Sequence, residues 1–176
     1  MGAHARADLS CRFRAVPTRR RPSLLKRALA PVVSSRAGSW YFLNVANPID
    51  RRLIPATNGW LSLAPGLPIL VVETRGAKSG ALRRTPLLYA RDGDELVLVA
   101  SNGGNPRHPA WYHNVRANPD VQVFLRGRTG RYRARVAEGP ERDRLWDLVT
   151  DLNPGYDIYK RRASNRQIPL VVLNPS

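Results

Sequence analysis

Asp120-Val121-Gln122-Val123-Phe124-Leu125-Arg126-Gly127-Arg128-Thr129-Gly130-Arg131-Tyr132-Arg133-Ala134-Arg135-Val136-Ala137 decides the fold. In its second half Tyr132, Ala134 and Val136 alternate with Arg131, Arg133 and Arg135, so one face is buried and the other is wet. Gly127 separates this arm from an apolar one, which makes the stretch a hairpin of two antiparallel strands, Asp120 to Leu125 and Thr129 to Ala137. A second hairpin precedes it. Leu82 to Arg91 and Glu95 to Ala100 flank the turn Asp92-Gly93-Asp94. The β-branched runs Ile69–Thr74 and Ile168–Leu173 complete about six strands.

Helical patterns fill the gaps. They fall at residues 39–54, interrupted at Pro48, at Pro109 to Ala117 with proline in the first turn, at Gly139 to about Leu152, and at Tyr156 to Arg162. Gly59, Pro65, Gly66 and Pro68 mark a loop. Hairpins with short helices between them predict an α+β, mainly β, antiparallel barrel, and the absence of a βαβ rhythm disfavours a dinucleotide-binding sheet.

The 176 residues allow one domain and a tail. One cysteine, Cys11, excludes an internal disulfide and a cysteine-based zinc site. No apolar run approaches the ~18 residues of a membrane span. With 29 Lys and Arg against 13 Asp and Glu, the chain carries a net charge of +16. Half of that excess lies in residues 1–36, where nine basic residues face the single acid Asp8. We therefore expect a basic N-terminal extension, 1–36, and a basic globular body, 37–176, both favouring anions. The first 21 residues lack periodicity and resemble an organelle transit peptide or a start assigned too far upstream. In residues 22–36, Leu24, Leu25, Ala28, Leu29, Val32 and Val33 fall on one helical face opposite Lys26 and Arg27, with Pro31 in the run. That face would meet an anionic membrane surface or pack on its own domain.

Arg75-Gly76-Ala77-Lys78-Ser79-Gly80-Ala81-Leu82-Arg83-Arg84 joins two strands. Two glycines permit a turn with converging N–H groups, four cations (Arg75, Lys78, Arg83 and Arg84) surround it and Ser79 adds a hydroxyl donor, which suits a phosphate or carboxylate. The spacing is not that of a Walker loop, and a solvated hairpin turn would read the same way. Ser101-Asn102-Gly103-Gly104 ends a strand and leads to Trp111 and Tyr112. Its backbone could meet the polar rim of a heterocycle while Trp111 stacks on a ring, or the two aromatics could be core anchors. Tyr156 and Tyr159 share a helical face, as a pocket wall, as proton donors or as cover for the barrel end.

His108 and His113, five apart, are not spaced as metal ligands, and Ser79 does not sit in a nucleophile elbow. Interleaved aromatics of a nucleic-acid stacking platform are missing from the basic stretches. Redox chemistry on a bound organic cofactor remains.

Thr74–Gly80, Arg83-Arg84-Thr85-Pro86-Leu87, Ala100–Gly104, Pro109–Pro119, Asn153-Pro154-Gly155-Tyr156 with Tyr159, and Ile168–Leu173 occur in this order in a known family. Over roughly residues 40–174 the chain resembles the deazaflavin-dependent nitroreductase family of actinobacteria. Each block is weak alone; their order and intervals are specific.

The resemblance implies a split β-barrel related to the flavin-reductase and pyridoxamine-oxidase barrels, with the deazaflavin coenzyme F-420 as cofactor. It implies that Gly76, Lys78, Ser79 and Arg83 hold the coenzyme's phosphate end. Pro86, Leu87 and Leu88 would line its ring, Ser101, Asn102 and Gly103 would meet the ring's polar rim, and Trp111, Tyr156 and Tyr159 would border the substrate pocket. It further implies hydride transfer to an electron-poor small molecule (a nitroaromatic, quinone or enone) in the cytoplasm or at the inner face of the cell membrane. Because some relatives bind lipids instead, a non-catalytic barrel holding a fatty acid or lipid is the alternative.

The family usually has Arg where this chain has Ala77, commonly Lys where it has Asn102, and in some members Tyr where it has Asn153. Arg75 or Arg84 would have to make up the lost charge near an anionic coenzyme.

Overall fold

The computed structural model describes residues 47–57, 59–63, 67–126, 128–163 and 166–176. The expected extension 1–36 and its amphipathic run at 22–36 lie outside these residues, as does the first half of the helix expected over 39–54. Six strands form a closed barrel in the order β1-β2-β3-β6-β5-β4. They are β1 (Ile69–Arg75), β2 (Leu82–Asp92), β3 (Glu95–Val99), β4 (Asp120–Leu125), β5 (Arg128–Val136) and β6 (Leu170–Pro175). Four helices accompany them: α1 (Asn47–Ala56), α2 (Ala110–Ala117), α3 (Gly139–Leu152) and α4 (Gly155–Arg162). The antiparallel barrel read from the hairpins is therefore present. The last strand starts at Leu170 rather than Ile168, and α1 accommodates Pro48 because its missing N–H falls in the first turn, where no partner is needed.

All six strand pairs are antiparallel. One barrel end thus collects the β1–β2 turn, the exits of β3 and β5 and the entries to β4 and β6. The opposite end collects the entry to β1, the β2–β3 turn and the β4–β5 connection.

Strand alternation explains the packing. Leu70, Val72, Leu96, Leu98, Val121, Val123, Val171 and Leu173 fill one cluster with Trp111, Tyr112 and Val115 of α2. Val97, Val99, Leu170 and Val172 belong to a second cluster with Leu145, Trp146 and Val149 of α3 and with Tyr156 and Tyr159 of α4. β3 and β6 are buried on both faces, which is why their sequences are unbroken apolar runs. The arginine face of β5 stays exposed, so this strand keeps its alternation. There Arg133 pairs with Asp120 across the strands at 3.0 Å, and Arg135 bridges Glu141 (2.6 Å) and Glu95 (3.2 Å). Arg144 grips Asp92 through two bonds, of 3.0 and 2.6 Å. Such half-exposed pairs are worth up to about 1 kcal/mol each.

Candidate functional site

The β1–β2 turn is shaped by its own backbone. Gly76 N–H donates to Ala81 O and Gly80 N–H to Gly76 O, both at 2.8 Å. Gly80 has φ +66°, a left-handed conformation natural to glycine. A Cβ on Gly76 would fall 2.6 Å from Ser79 Oγ, so the absence of a side chain there lets the serine hydroxyl fold over the turn.

The turn is also held from below. Asn114, buried on α2, accepts the Ala77 N–H at Oδ1 (3.0 Å) and donates through Nδ2 to Thr74 Oγ1 (3.1 Å). Asn118 donates to Arg75 O at 3.4 Å. Asn114 stands in the sequence within the block Pro109–Pro119; its role depends on packing α2 under a turn 37 positions earlier, which no local signal encodes.

Lys78, Ser79 and Arg83 are exposed around this braced turn. Among the described residues neither Lys78 nor Arg83 forms an ion pair. The two arginines expected to compensate for Ala77 are both engaged. Arg84 Nε bonds Glu73 at 2.7 Å with its guanidinium 5.1 Å from the Phe124 ring centroid, and Arg75 donates to Gly80 O at 3.1 Å. An anionic group brought to the turn would meet Lys78, Arg83 and the Ser79 hydroxyl, and this donor set fits a phosphate. Leu87 packs against the barrel core, while Pro86 and Leu88, one residue to either side, face the other way. The structure does not bring these three side chains onto one surface.

The second motif forms a 3-10 turn, Asn102–Gly104, at the exit of β3. Ser101 is buried, Asn102 has φ +50° and Gly103 φ +64°. Asparagine tolerates this backbone better than most residues, and its Nδ2 donates to Arg107 O at 3.0 Å, so the position bearing lysine in relatives here braces the turn. Gly104, at φ +82°, lies against α4, where a Cβ would approach Arg162 Cβ to 2.7 Å and Tyr159 O to 3.0 Å.

Arg166 clamps the same turn. It donates to Ser101 O (2.7 Å), Asn105 O (2.9 Å) and Ala100 O (3.3 Å), and contacts His108 Nδ1 at 3.1 Å. Because arginine can only donate, the neutral His108 ring carries its proton on Nε2. Burial holds the His108 pKa below its ordinary value, and the Arg166, His113 and Arg116 charges lower it further. Sequence reading missed Arg166, whose partners lie some sixty residues away.

The expected pocket aromatics divide. Trp111 is 5% exposed within the barrel cluster, perpendicular to Tyr112. Tyr156 and Tyr159 share a face as expected, with ring centroids 6.1 Å apart, but lie in the other cluster. Burial, with a smaller contribution from Tyr159, pushes the Tyr156 phenol pKa up, so it stays protonated at neutral pH. Asn153, standing where some relatives have tyrosine, accepts the Gly155 N–H at 3.0 Å and starts α4.

A closed six-stranded antiparallel barrel with this turn at one end defines a split-barrel protein. The family model described as F420H(2)-dependent quinone reductase matches residues 52–175. An F420H(2)-dependent quinone reductase of Mycobacterium tuberculosis (strain ATCC 25618 / H37Rv) is 44% identical over 122 residues, which cover 66% of this chain and 81% of the relative. Among solved structures, the F420-H2 dependent reductase FDR-A is 39% identical with TM-score 0.57, covering 61% of this chain and 94% of that one. Another, described as a domain-swapped dimer, is 36% identical with TM-score 0.60, covering 72% and 94%. The chain belongs to the F420H(2)-dependent quinone reductase family. It is accordingly an F-420-dependent oxidoreductase, with coenzyme F-420 as its cofactor.

Proposed function

We propose that the protein delivers a hydride from the reduced coenzyme to a quinone, and that Lys78, Ser79 and Arg83 hold the coenzyme's phosphate end. The observation that carries this reading is the braced β1–β2 turn. Asn114 fixes its backbone, and among the described residues Lys78 and Arg83 form no ion pair. Gly76 serves by leaving room for the Ser79 hydroxyl.

When bound, the coenzyme supplies the hydride; the chain supplies position and a proton. Ser101, Asn102 and Gly103, set by Arg166, would present backbone groups to the ring's polar rim, and Pro86, Leu87 and Leu88 of β2 would line the ring, through backbone where their side chains face apart. Trp111 keeps α2 seated in the barrel mouth. Tyr156 and Tyr159 back the 102–104 turn through Gly104, and the proton that completes quinone reduction comes from an α4 tyrosine hydroxyl or from water. Nitroaromatics and enones share the electron-poor character that such a site accepts. Neither is favoured over a quinone by any feature of the chain.

Absorbance titration with the oxidised coenzyme tests the reading. Saturable binding, weakened about tenfold by Lys78→Ala and by Arg83→Ala, is expected, since each removes a charge-assisted bond of ~1.4 kcal/mol or more. Unchanged affinity in both variants would place the anionic arm elsewhere.

A further inference from the structure

Between the start of α2, the link from β5 to α3 and the entry to β6 lies a cavity of about 460 Å³, within the size range of small-molecule sites. Tyr112, Val136 and Pro169 give it apolar walls, and His108, Arg142 and Gln167 bring donors to it. It is distinct from the β1–β2 turn. Residues two apart on a helix point roughly 200° away from each other, so Tyr112 and Asn114 leave opposite sides of α2. Asn114 reaches the β1–β2 turn, whereas Tyr112 walls the cavity.

Arg142 is the cavity's poorly matched charge. Its side chain is only 12% exposed. Among the described residues its one ion pair is with Asp143, which is 80% exposed and 3.4 Å away, and its bond to Ile168 O is 3.3 Å long. Nε is buried and has no hydrogen-bond partner among the described residues. The Trp146 ring, centred 5.6 Å from the guanidinium, positions the charge without cancelling it. A cation so enclosed and so loosely paired favours an anion in the adjoining space.

The other polar groups suit a carboxylate. His108 accepts from Arg166 at Nδ1, which leaves Nε2–H as the ring's remaining donor. The Gln167 amide is exposed and makes no hydrogen bond among the described residues. Two carboxylate oxygens can share these donors, with a hydrocarbon body against the apolar walls. Glu138, exposed in the lining, sets a limit, because a second negative charge on the ligand would meet it.

His108 also ties the cavity to the turn at the exit of β3. Arg166 contacts His108 Nδ1 at 3.1 Å and donates to Ser101 O at 2.7 Å and to Asn105 O at 2.9 Å. A ligand that holds the His108 ring steadies Arg166 and the turn it clamps.

We propose that this cavity binds a small, largely apolar monocarboxylate through Arg142, His108 and Gln167, and that its occupation tightens coenzyme binding through Arg166. The binding stands on the cavity alone; the effect on the coenzyme rests on the function proposed above.

Calorimetric titration of the full chain with benzoate tests the binding. Benzoate should bind saturably and shift the His108 ring proton signals. Benzamide, which lacks the charge, and terephthalate, which adds one, should each bind at least about tenfold more weakly. Arg142→Gln should abolish the binding. Since that change also removes the bond to Ile168 O, a second variant at an exposed position is needed: Gln167→Glu should weaken benzoate about tenfold by repulsion. Glu138→Gln should admit terephthalate. Absence of saturable binding, equal affinity for benzoate and benzamide, or an unchanged benzoate affinity in Gln167→Glu would overturn the site. Saturating benzoate should raise coenzyme affinity about fivefold in the wild type. An unchanged or lowered coenzyme affinity would overturn the link through Arg166. Failure of the coenzyme to bind at all would strike the function proposed above and leave the benzoate result standing.

Discussion

Asn114 and Ala77, 37 positions apart, are joined by one 3.0 Å hydrogen bond that ties a capping helix to the turn nearest the proposed phosphate. The other end of the same amide holds Thr74, which is fully buried, so the side chain is spent on both sides. Asn114→Ala leaves the Ala77 N–H and the Thr74 hydroxyl short of a partner, at a cost of about 1–3 kcal/mol. We expect a lower Tm and weaker coenzyme binding together. Asn114→Asp should restore the bond from Ala77 but not the donation to Thr74, and should recover only part of each. Thermal unfolding and absorbance titration of the two variants measure this.

Lys78→Ala and Arg83→Ala should behave differently from Asn114→Ala. Both side chains are exposed and make no ion pair among the described residues, so their removal should move Tm by less than about 0.5 kcal/mol in stability while lowering coenzyme affinity. The affinity that remains in the double variant should depend less on salt than that of the wild type, since fewer charges are left to screen. Titrations at low and high ionic strength give the comparison.

Arg166 and His108 offer a spectroscopic handle. Arg166→Ala removes one of the charges that depress the His108 pKa, so the titration midpoint of the His108 ring proton signals should move up towards the ordinary histidine value. The carbonyls of Ala100, Ser101 and Asn105 lose their shared donor, and coenzyme affinity should fall as the turn loosens. Arg166→Lys keeps a charge but not the fork, and should restore the midpoint better than the affinity.

The lowered pKa also sets a pH dependence. As pH falls through the unfolded value near 6.5, the unfolded chain takes up a proton that folded His108 resists, so its contribution to stability is present above that pH and is lost on acidification towards the folded value. His108→Gln should flatten the fall in Tm over that window, measured against the wild type in matched buffers.

Two glycines make a controlled pair. Gly93 and Gly104 both have positive φ, but a Cβ on Gly93 meets nothing within 4 Å, whereas on Gly104 it meets Arg162 and the Tyr159 carbonyl. Gly93→Ala should cost about 1–2 kcal/mol from the backbone alone. Gly104→Ala should add about 1–3 kcal/mol of overpacking and displace the 102–104 turn from α4. Denaturant unfolding separates the two costs.

How far the sequence carried the fold follows from the same contrasts. Tyr132, Ala134 and Val136 against Arg131, Arg133 and Arg135 gave β5 its inner and outer face because burial on one side imposes a period of two. The runs in β3 and β6 were legible as strands, but not as strands covered twice, since that depends on where α3 and α4 return. At the candidate site, a glycine turn with four cations and Ser79 was readable from local chemistry, but not that Arg75 and Arg84 would be engaged by Gly80 and Glu73. Asn114 and Arg166 were not, because a side chain that braces a distant backbone leaves no mark on its own neighbours. Aromatic residues were ambiguous for a related reason. Trp111 and Tyr156 have the same composition signal whether they line a cavity or fill one, and both are almost fully buried.

The barrel is a ring, and a ring has no outermost strand. Among the described strands no row of backbone donors stands ready to recruit a strand from another molecule, which protects the protein against sheet-to-sheet aggregation. The seam is narrowest between β1 and β4, where only Val71, Val72 and Glu73 find partners, in Phe124, Val123 and Gln122. If the ring opens, that seam is where the fewest backbone partners have to part.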